Sequence, residues 1–330
     1  MLFFRLLALA LVFLLVTGLS VCVGDMTVSP LTAWQAIFHN VPSNQATFAD
    51  ILWQIRLPRL LIAMVVGCAL AISGYVLQNI SRNPLADPYL TGVSSGSALA
   101  VALALTLNLD FRLIPLLAFA GGLFASLLVA RLAKAPIGLS VTRLLLAGVG
   151  LSAICGGIIT LLLTTSPRFA QSLGIFFWLA GGIAGKTWLE LTPVFISTVF
   201  GAIVVVVMSK QLRLLSLGQA SAQALGVNVA TTQWCLLAAA VLLCSAAVSI
   251  SGLVGFVGLI GPHITRKLFG RDERVHIICA GLVGAVMVMV SDLAARTLAQ
   301  GQELPLGTLL AVAGGPFFLW LVYSHKDMSY

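Results

Sequence analysis

Apolar residues fall in long runs along this chain, separated by short stretches where prolines, glycines and the few charges collect. Runs at 2–23, 60–79, 91–107, 113–132, 144–163, 192–208, 231–250, 252–268, 275–298 and 305–323 approach the about 20 residues with which an α-helix crosses a bilayer core. The pattern predicts about ten membrane-spanning helices. The first run has Arg5 near its start, as a secretion signal would. It is longer than the about 7–15 apolar residues of such a signal, and no small-x-small cleavage site follows. Leu19-Ser20-Val21-Cys22 approximates a lipoprotein signal, with Val where a small residue is required. The segment therefore reads as a retained first helix.

The longest polar stretches are 24–58, 164–191 and 209–230, each too short to fold by itself. The expected organisation is one membrane domain over residues 1–330. Gly252, Gly255, Gly258 and Gly261 recur every third residue, predicting a helix face of nearly bare backbone for close helix packing. A lining for a translocation path is the other use of such a face.

Composition strengthens this picture. The chain is 60% hydrophobic and 8% charged, where soluble domains carry roughly 25% charged residues. A soluble enzyme, a disordered chain and a disulfide-stapled domain are disfavoured. The six cysteines stand singly inside apolar runs, a spacing that suits buried small hydrophobes better than a zinc site or disulfide framework. No metal site or catalytic residue is expected.

The net charge of +8 resolves into a topology signal. With the N-terminus inside, the inner loops hold Arg5, Arg82, Arg131, Lys134, Arg143, Lys210, Arg213, Arg266, Lys267, Arg271, Arg274 and Lys326. The outer segments hold only Arg56, Arg59, Arg112, Arg168, Lys186 and Arg296. This bias places both termini in the cytoplasm, and it leaves no basic footprint for nucleic acid. Trp34, Trp53, Trp178 and Trp188 fall at outer segments, as interfacial anchors do.

Several polar features invite chemical readings. Ala180-Gly181-Gly182-Ile183-Ala184-Gly185-Lys186-Thr187 fits a relaxed phosphate-loop pattern, but without the preceding strand and acidic magnesium ligand that such a loop needs. It is expected to bind no nucleotide. Asp292 is the one acid inside a span, with Arg296 at i+4. A local ion pair near the outer end is the simpler role, and a proton-coupling carboxylate of a secondary transporter is the alternative. His263 follows Pro262 with no second ligand at metal spacing, which suits a cap or hinge. Arg82-Asn83-Pro84-Leu85-Ala86-Asp87-Pro88 predicts a rigid inner connector. Residues Gln219–Leu225 predict a helix of two turns, with a start at Ser216 or Gly218 and a stop at Gly226. Its small residues suit docking into a partner.

The chain resembles the FecCD-type permeases, the membrane subunits of ATP-driven importers for ferric siderophores, heme and cobalamin. The resemblance runs through Ile55-Arg56-Leu57-Pro58-Arg59-Leu60, Leu70-Ala71-Ile72-Ser73-Gly74, Arg82 to Pro88 and Arg143-Leu144-Leu145-Leu146-Ala147-Gly148-Val149. It continues through Leu215 to Gly218, Leu225 to Val227, Gly255 to His263, Asp292 to Arg296, Glu303 to Gly307 and Gly315 to Phe318. It implies the type II importer architecture, with two permease subunits (two copies of this chain, or this chain and a paralogue) in the bacterial cytoplasmic membrane. Two cytoplasmic ATPase subunits would carry ATP and magnesium, and an outer binding protein would deliver the cargo. No cofactor is implied in this chain. By the same resemblance Arg56, Arg59 and Arg296 dock the binding protein. Coupling to the ATPases falls within 214–227, on Ser216, Leu217, Gly218, Ala220, Ala222, Leu225 and Gly226. Asn83, Leu85, Val141 and Thr142 match the cytoplasmic gate.

Overall fold

Fifteen α-helices follow one another in the computed structural model, which describes residues 2–24, 28–37, 46–136, 138–165, 169–269, 272–298 and 303–324. They are α1 (Leu2–Cys22), α2 (Pro30–Ile37), α3 (Ala46–Ile51), α4 (Leu57–Ser81), α5 (Val93–Thr106), α6 (Ile114–Leu132), α7 (Val141–Thr165) and α8 (Phe169–Ala180). Then come α9 (Trp188–Val207), α10 (Ser209–Ser216), α11 (Gln219–Ala224), α12 (Val229–Ser251), α13 (Val257–Leu268), α14 (Glu273–Thr297) and α15 (Leu306–Ser324). No strand forms among the described residues.

Seven helical stretches are long and apolar enough to cross a membrane: Leu2–Cys22, Ala49–Ser81, Phe111–Leu132, Val141–Thr165, Trp188–Val207, Val229–Ser251 and Glu273–Thr297. The shorter apolar helices α5 and α15 and the twelve-residue α13 complete the ten. All ten predicted spans are thus occupied by helices. The ends of the bundle are called outer and inner here after the charge bias.

Helix α4 is the hub, buried along most of its length and packed against α9, α12, α13 and α14. Between apolar helices in lipid, association depends on close packing rather than on the hydrophobic effect. A Cβ built on Gly67 would lie 2.2 Å from the Gly284 carbonyl oxygen, and one on Gly74 2.0 Å from that of Gly258. These glycines let α4 touch α14 and α13 backbone to backbone. Ser73 Oγ adds a 2.7 Å hydrogen bond to the Ala240 carbonyl on α12.

Three expectations change. First, α13 starts at Val257 rather than at 252, because Gly252 ends α12 with φ +64° and the chain turns before re-entering a helix. Gly252 and Gly255 lie in that turn, so the four glycines do not share one helix face. Gly258 alone makes the backbone contact with α4, while Gly261 faces Ala71. Secondly, the stretch 164–191 is not simply a polar outer segment. It contains α8, which packs on the outer ends of α5 and α15. Thirdly, α5 has 14 residues and spans only about 21 Å at 1.5 Å per residue. The backbone from Asn83 to Thr91 makes up the rest of the crossing.

Candidate functional site

At the outer end, Arg59 in the first turn of α4 reaches across to α14. Its Nε donates to Asp292 Oδ1 at 2.8 Å, and its Nη1 donates to Glu303 Oε1 at 2.6 Å. Asp292 is 3% exposed, and its second oxygen lies 3.2 Å from Arg296 Nε. The i+4 pair read from the sequence is present, and Arg59 is its unanticipated third member. Arg56 donates to the Val21 carbonyl at 2.6 Å, and Arg296 reaches those of Val23 and Ser20 at 3.4 Å. Both therefore neutralise the last carbonyls of α1, a favourable place for cations. All three arginines gather at one end of the bundle, with their guanidiniums turned into the protein.

Arg59, Asp292 and Glu303 border an outer cavity of about 590 Å³, walled also by Phe111, Arg112, Trp178, Lys186 and Leu304. Burial pushes the Lys186 ammonium below the usual lysine range, with Glu190 partly offsetting it. The Ala180–Thr187 segment follows a helix rather than a strand. Gly181 and Gly185 turn it with φ +73° and +67°, and the Gly182 N–H donates to the Ser251 carbonyl at 2.8 Å. Thr187 and Glu190 form a capping box at the start of α9. Its glycines and threonine thus build a turn and a helix cap, in place of a phosphate cradle. Trp188 Nε1 donates to the Trp53 carbonyl at 2.8 Å, so these two anchors meet at the outer rim.

The Arg82–Pro88 connector does more than join two helices. Arg82 stays at the inner rim, where a Cβ on Gly218 would approach its Nη1 to 3.3 Å. Pro88 instead packs on Gly258, beside Leu70, which stands about 16 Å along α4 from its inner end. The chain re-enters the bundle as non-α backbone that ends in a 3-10 turn over Pro88–Thr91, and such backbone is tolerated at membrane depth only when protein satisfies it. Asp87 Oδ1 accepts from the Tyr89 N–H at 2.8 Å, and the Tyr89 hydroxyl accepts from the Val254 N–H at 2.7 Å. Of the expected gate residues, Asn83 closes a turn by accepting from the Leu85 N–H at 2.9 Å. Leu85 and Val141 are half-buried, and Thr142 is exposed at the start of α7.

The segment 214–227, expected to dock the ATPases, holds the end of α10 and the whole of α11, of which the sequence disclosed only the second helix. Ser216 closes α10, its hydroxyl on the Arg213 carbonyl at 2.7 Å. Gly218 with φ +114° opens α11, and Gly226 with φ +81° follows its end. Leu217 and Leu225 are each 61% exposed on either side of it. Ala220 is exposed, but Ala222 is 0% exposed and holds α11 against the bundle. Ala222 thus differs from its expected docking position, because its side of the two-turn helix must pack inward.

One inner cluster was not anticipated. The Tyr75 hydroxyl donates to Glu273 Oε1 at 2.7 Å and lies 3.2 Å from His276 Nδ1. Arg266 stacks 5.8 Å from the Tyr75 ring centroid and bonds Gln78, whose Nε2 donates to the Gly258 carbonyl at 3.0 Å. The signal for it was Tyr75 and Gln78, three residues apart on one helix face inside an apolar run. Their partners lie about 200 residues away, beyond any local pattern. His263 faces Phe317 edge-on at 6.1 Å between ring centroids.

Comparison with known proteins covers nearly the full chain. A model of the FecCD transport family matches residues 10–324. The hemin transport system permease protein HmuU of Yersinia pestis is 38% identical, over 97% of this chain and 96% of its own. The Fe(3+) dicitrate transport system permease protein FecC of Escherichia coli is 37% identical over 91% of each. A metal-chelate type ABC transporter solved in an inward-facing conformation superposes with a TM-score of 0.86 and 33% identity, over 97% of this chain and 98% of that one.

Proposed function

The chain belongs to the FecCD transport family, and from that premise we propose that it works as a permease subunit of an ATP-driven importer of a metal chelate. The cargo class is a ferric siderophore, heme or cobalamin. In this reading the chain pairs with a second permease subunit in the cytoplasmic membrane and hydrolyses no ATP. Two ATPase subunits engage α11 from the cytoplasm, and a binding protein delivers cargo to the outer face. The observation that carries the reading is the short helix α11 at the inner end, with Leu217 and Leu225 exposed on its flanks. Two exposed apolar side chains flanking a short polar helix suit a pocket on a partner.

Nucleotide acts on such a machine only through different interaction energies with its two states. ATPase closure would press on α11, and Arg82 beside Gly218 would carry the displacement to the re-entrant segment and Asn83. At the outer face, docking through Arg56, Arg59 and Arg296 requires acidic groups of the binding protein to exchange with Asp292, Glu303 and the carbonyls of α1. Guanidinium–carboxylate pairs are suited to such exchange.

Reconstitution tests the reading. Proteoliposomes holding this permease, its ATPases and binding protein should accumulate cargo when ATP is supplied on the α11 side. Uptake driven by a proton gradient without ATP would instead select Asp292-dependent secondary transport.

A further inference from the structure

Helices α9 and α14 both lean on α4 but scarcely touch each other. The gap between them is a groove of about 360 Å³, floored by Met64, Cys68 and Ile72 and walled by Val199, Val206 and Ile277 among others. Apart from Thr198 and the Cys68 thiol its lining is apolar. It lies wholly among membrane-spanning stretches. From Ile277 to Ala285 it runs about 12 Å along α14, the depth of roughly one leaflet of a 30 Å hydrocarbon core.

At the inner end of the same two helices the lining changes character. Ser209, Lys210, Arg213, Asp272, Glu273 and Arg274 surround a second, polar hollow of about 490 Å³. Lys210 and Arg213 lie on α10, directly after α9, and Arg274 lies in the first turn of α14. These three basic side chains are exposed and make no ion pair among the described residues. The acidic neighbours are engaged: Asp272 caps α14 through the Arg274 N–H, and Glu273 accepts from Tyr75. The hollow therefore offers cationic donors at the level of the headgroups, about one helical turn beyond the apolar groove on each side, from Val206 to Ser209 and from Ile277 to Arg274.

We propose that this composite groove is a binding site for an anionic phospholipid, with its phosphate between Lys210, Arg213 and Arg274 and one acyl chain between α9 and α14. The complementarity is specific in both parts. Basic hollows at helix ends on the cytoplasmic side attract acidic headgroups, and an apolar slot open to the bilayer takes hydrocarbon. The site shares no residue with the segment 214–227 expected to couple to the ATPases.

Native mass spectrometry of the full-length permease, purified and exchanged into nanodiscs of equal phosphatidylglycerol and phosphatidylcholine, reads this directly. Retained phosphatidylglycerol should exceed phosphatidylcholine by at least about tenfold, given the attraction of several basic residues. The triple variant K210Q/R213Q/R274Q should lose that preference while keeping its elution profile, since all three side chains are exposed. Ala202→Phe, which fills the groove, should lower retention of phosphatidylglycerol without changing the response to glycerol phosphate. Equal retention of the two lipids by the unmodified chain would overturn the proposal. Competition by glycerol phosphate as strong as by whole lipid would do the same, because it would mark a soluble-anion site. Retention unchanged in the triple variant would also overturn the proposal, and reduced co-purification of ATPase subunits by that variant would reassign the surface to a protein partner.

Discussion

Asp292 shows how much of a residue's role depends on what the fold brings to it. Beside Arg296 alone it would form an ordinary i,i+4 pair worth about 0.2–0.5 kcal/mol on an isolated helix. Burial with Arg59 changes the scale, since removing one partner of a buried pair costs about 3–5 kcal/mol. Arg59→Ala should lower thermal stability in detergent sharply, and adding Asp292→Asn should recover part of the loss. A loss in the double variant equal to the sum of the two single losses would show that the pair is not coupled. Gly74 makes the complementary case. Its Cβ would stand 2.0 Å from the Gly258 carbonyl oxygen, whereas a Cβ on Gly18 would meet nothing within 4 Å. Gly74→Ala should therefore cost about 1–3 kcal/mol by overpacking. Gly18→Ala should be neutral or stabilising by up to about 1 kcal/mol, because Ala is the better helix former. Thermal unfolding followed by fluorescence separates the two.

At the scale of elements, α11 is set by local chemistry and positioned by packing. Glycines with positive φ bracket it at Gly218 and Gly226, which a side chain with a Cβ adopts only at a cost. That much could be read from the order of small and helix-forming residues. Which alanine faces out could not, since a two-turn helix offers no long apolar stripe to give its inward side. Leu217→Asp and Leu225→Asp should leave the permease monodisperse and reduce co-purification of ATPase subunits at least about tenfold, as loss of central apolar anchors does. Ala222→Phe, against a wholly buried position, should instead impair folding. The re-entrant segment from Asn83 to Thr91 belongs to this scale too. Its prolines announced a break in the helix, but its depth depends on Pro88 meeting Gly258 and on Tyr89 meeting Val254.

For the molecule as a whole, the proposed orientation rests on few charges. Membrane-impermeant maleimide on intact cells should label Ala184→Cys in a cysteine-free background, because this exposed residue lies in the outer turn before α9. Ser221→Cys, exposed on α11, should label only after lysis. The reverse pattern would invert the proposed topology. The sequence by itself determined the number and order of the spans, which end of the bundle carries most of the basic residues and the turns that bracket α11. Runs of apolar residues, charge bias and glycine placement act within a few residues of each other, so they are visible along the chain. Only the tertiary structure decided that Arg59 joins Asp292, that Tyr75 meets Glu273 and that α8 covers the outer ends of α5 and α15. It also decided that α9 and α14 part to leave a groove. In a chain so uniformly apolar, hydrophobicity marks every helix as a membrane helix without saying which faces meet. The choice among faces is made by van der Waals contact at glycines and by a few buried hydrogen bonds between residues far apart in sequence.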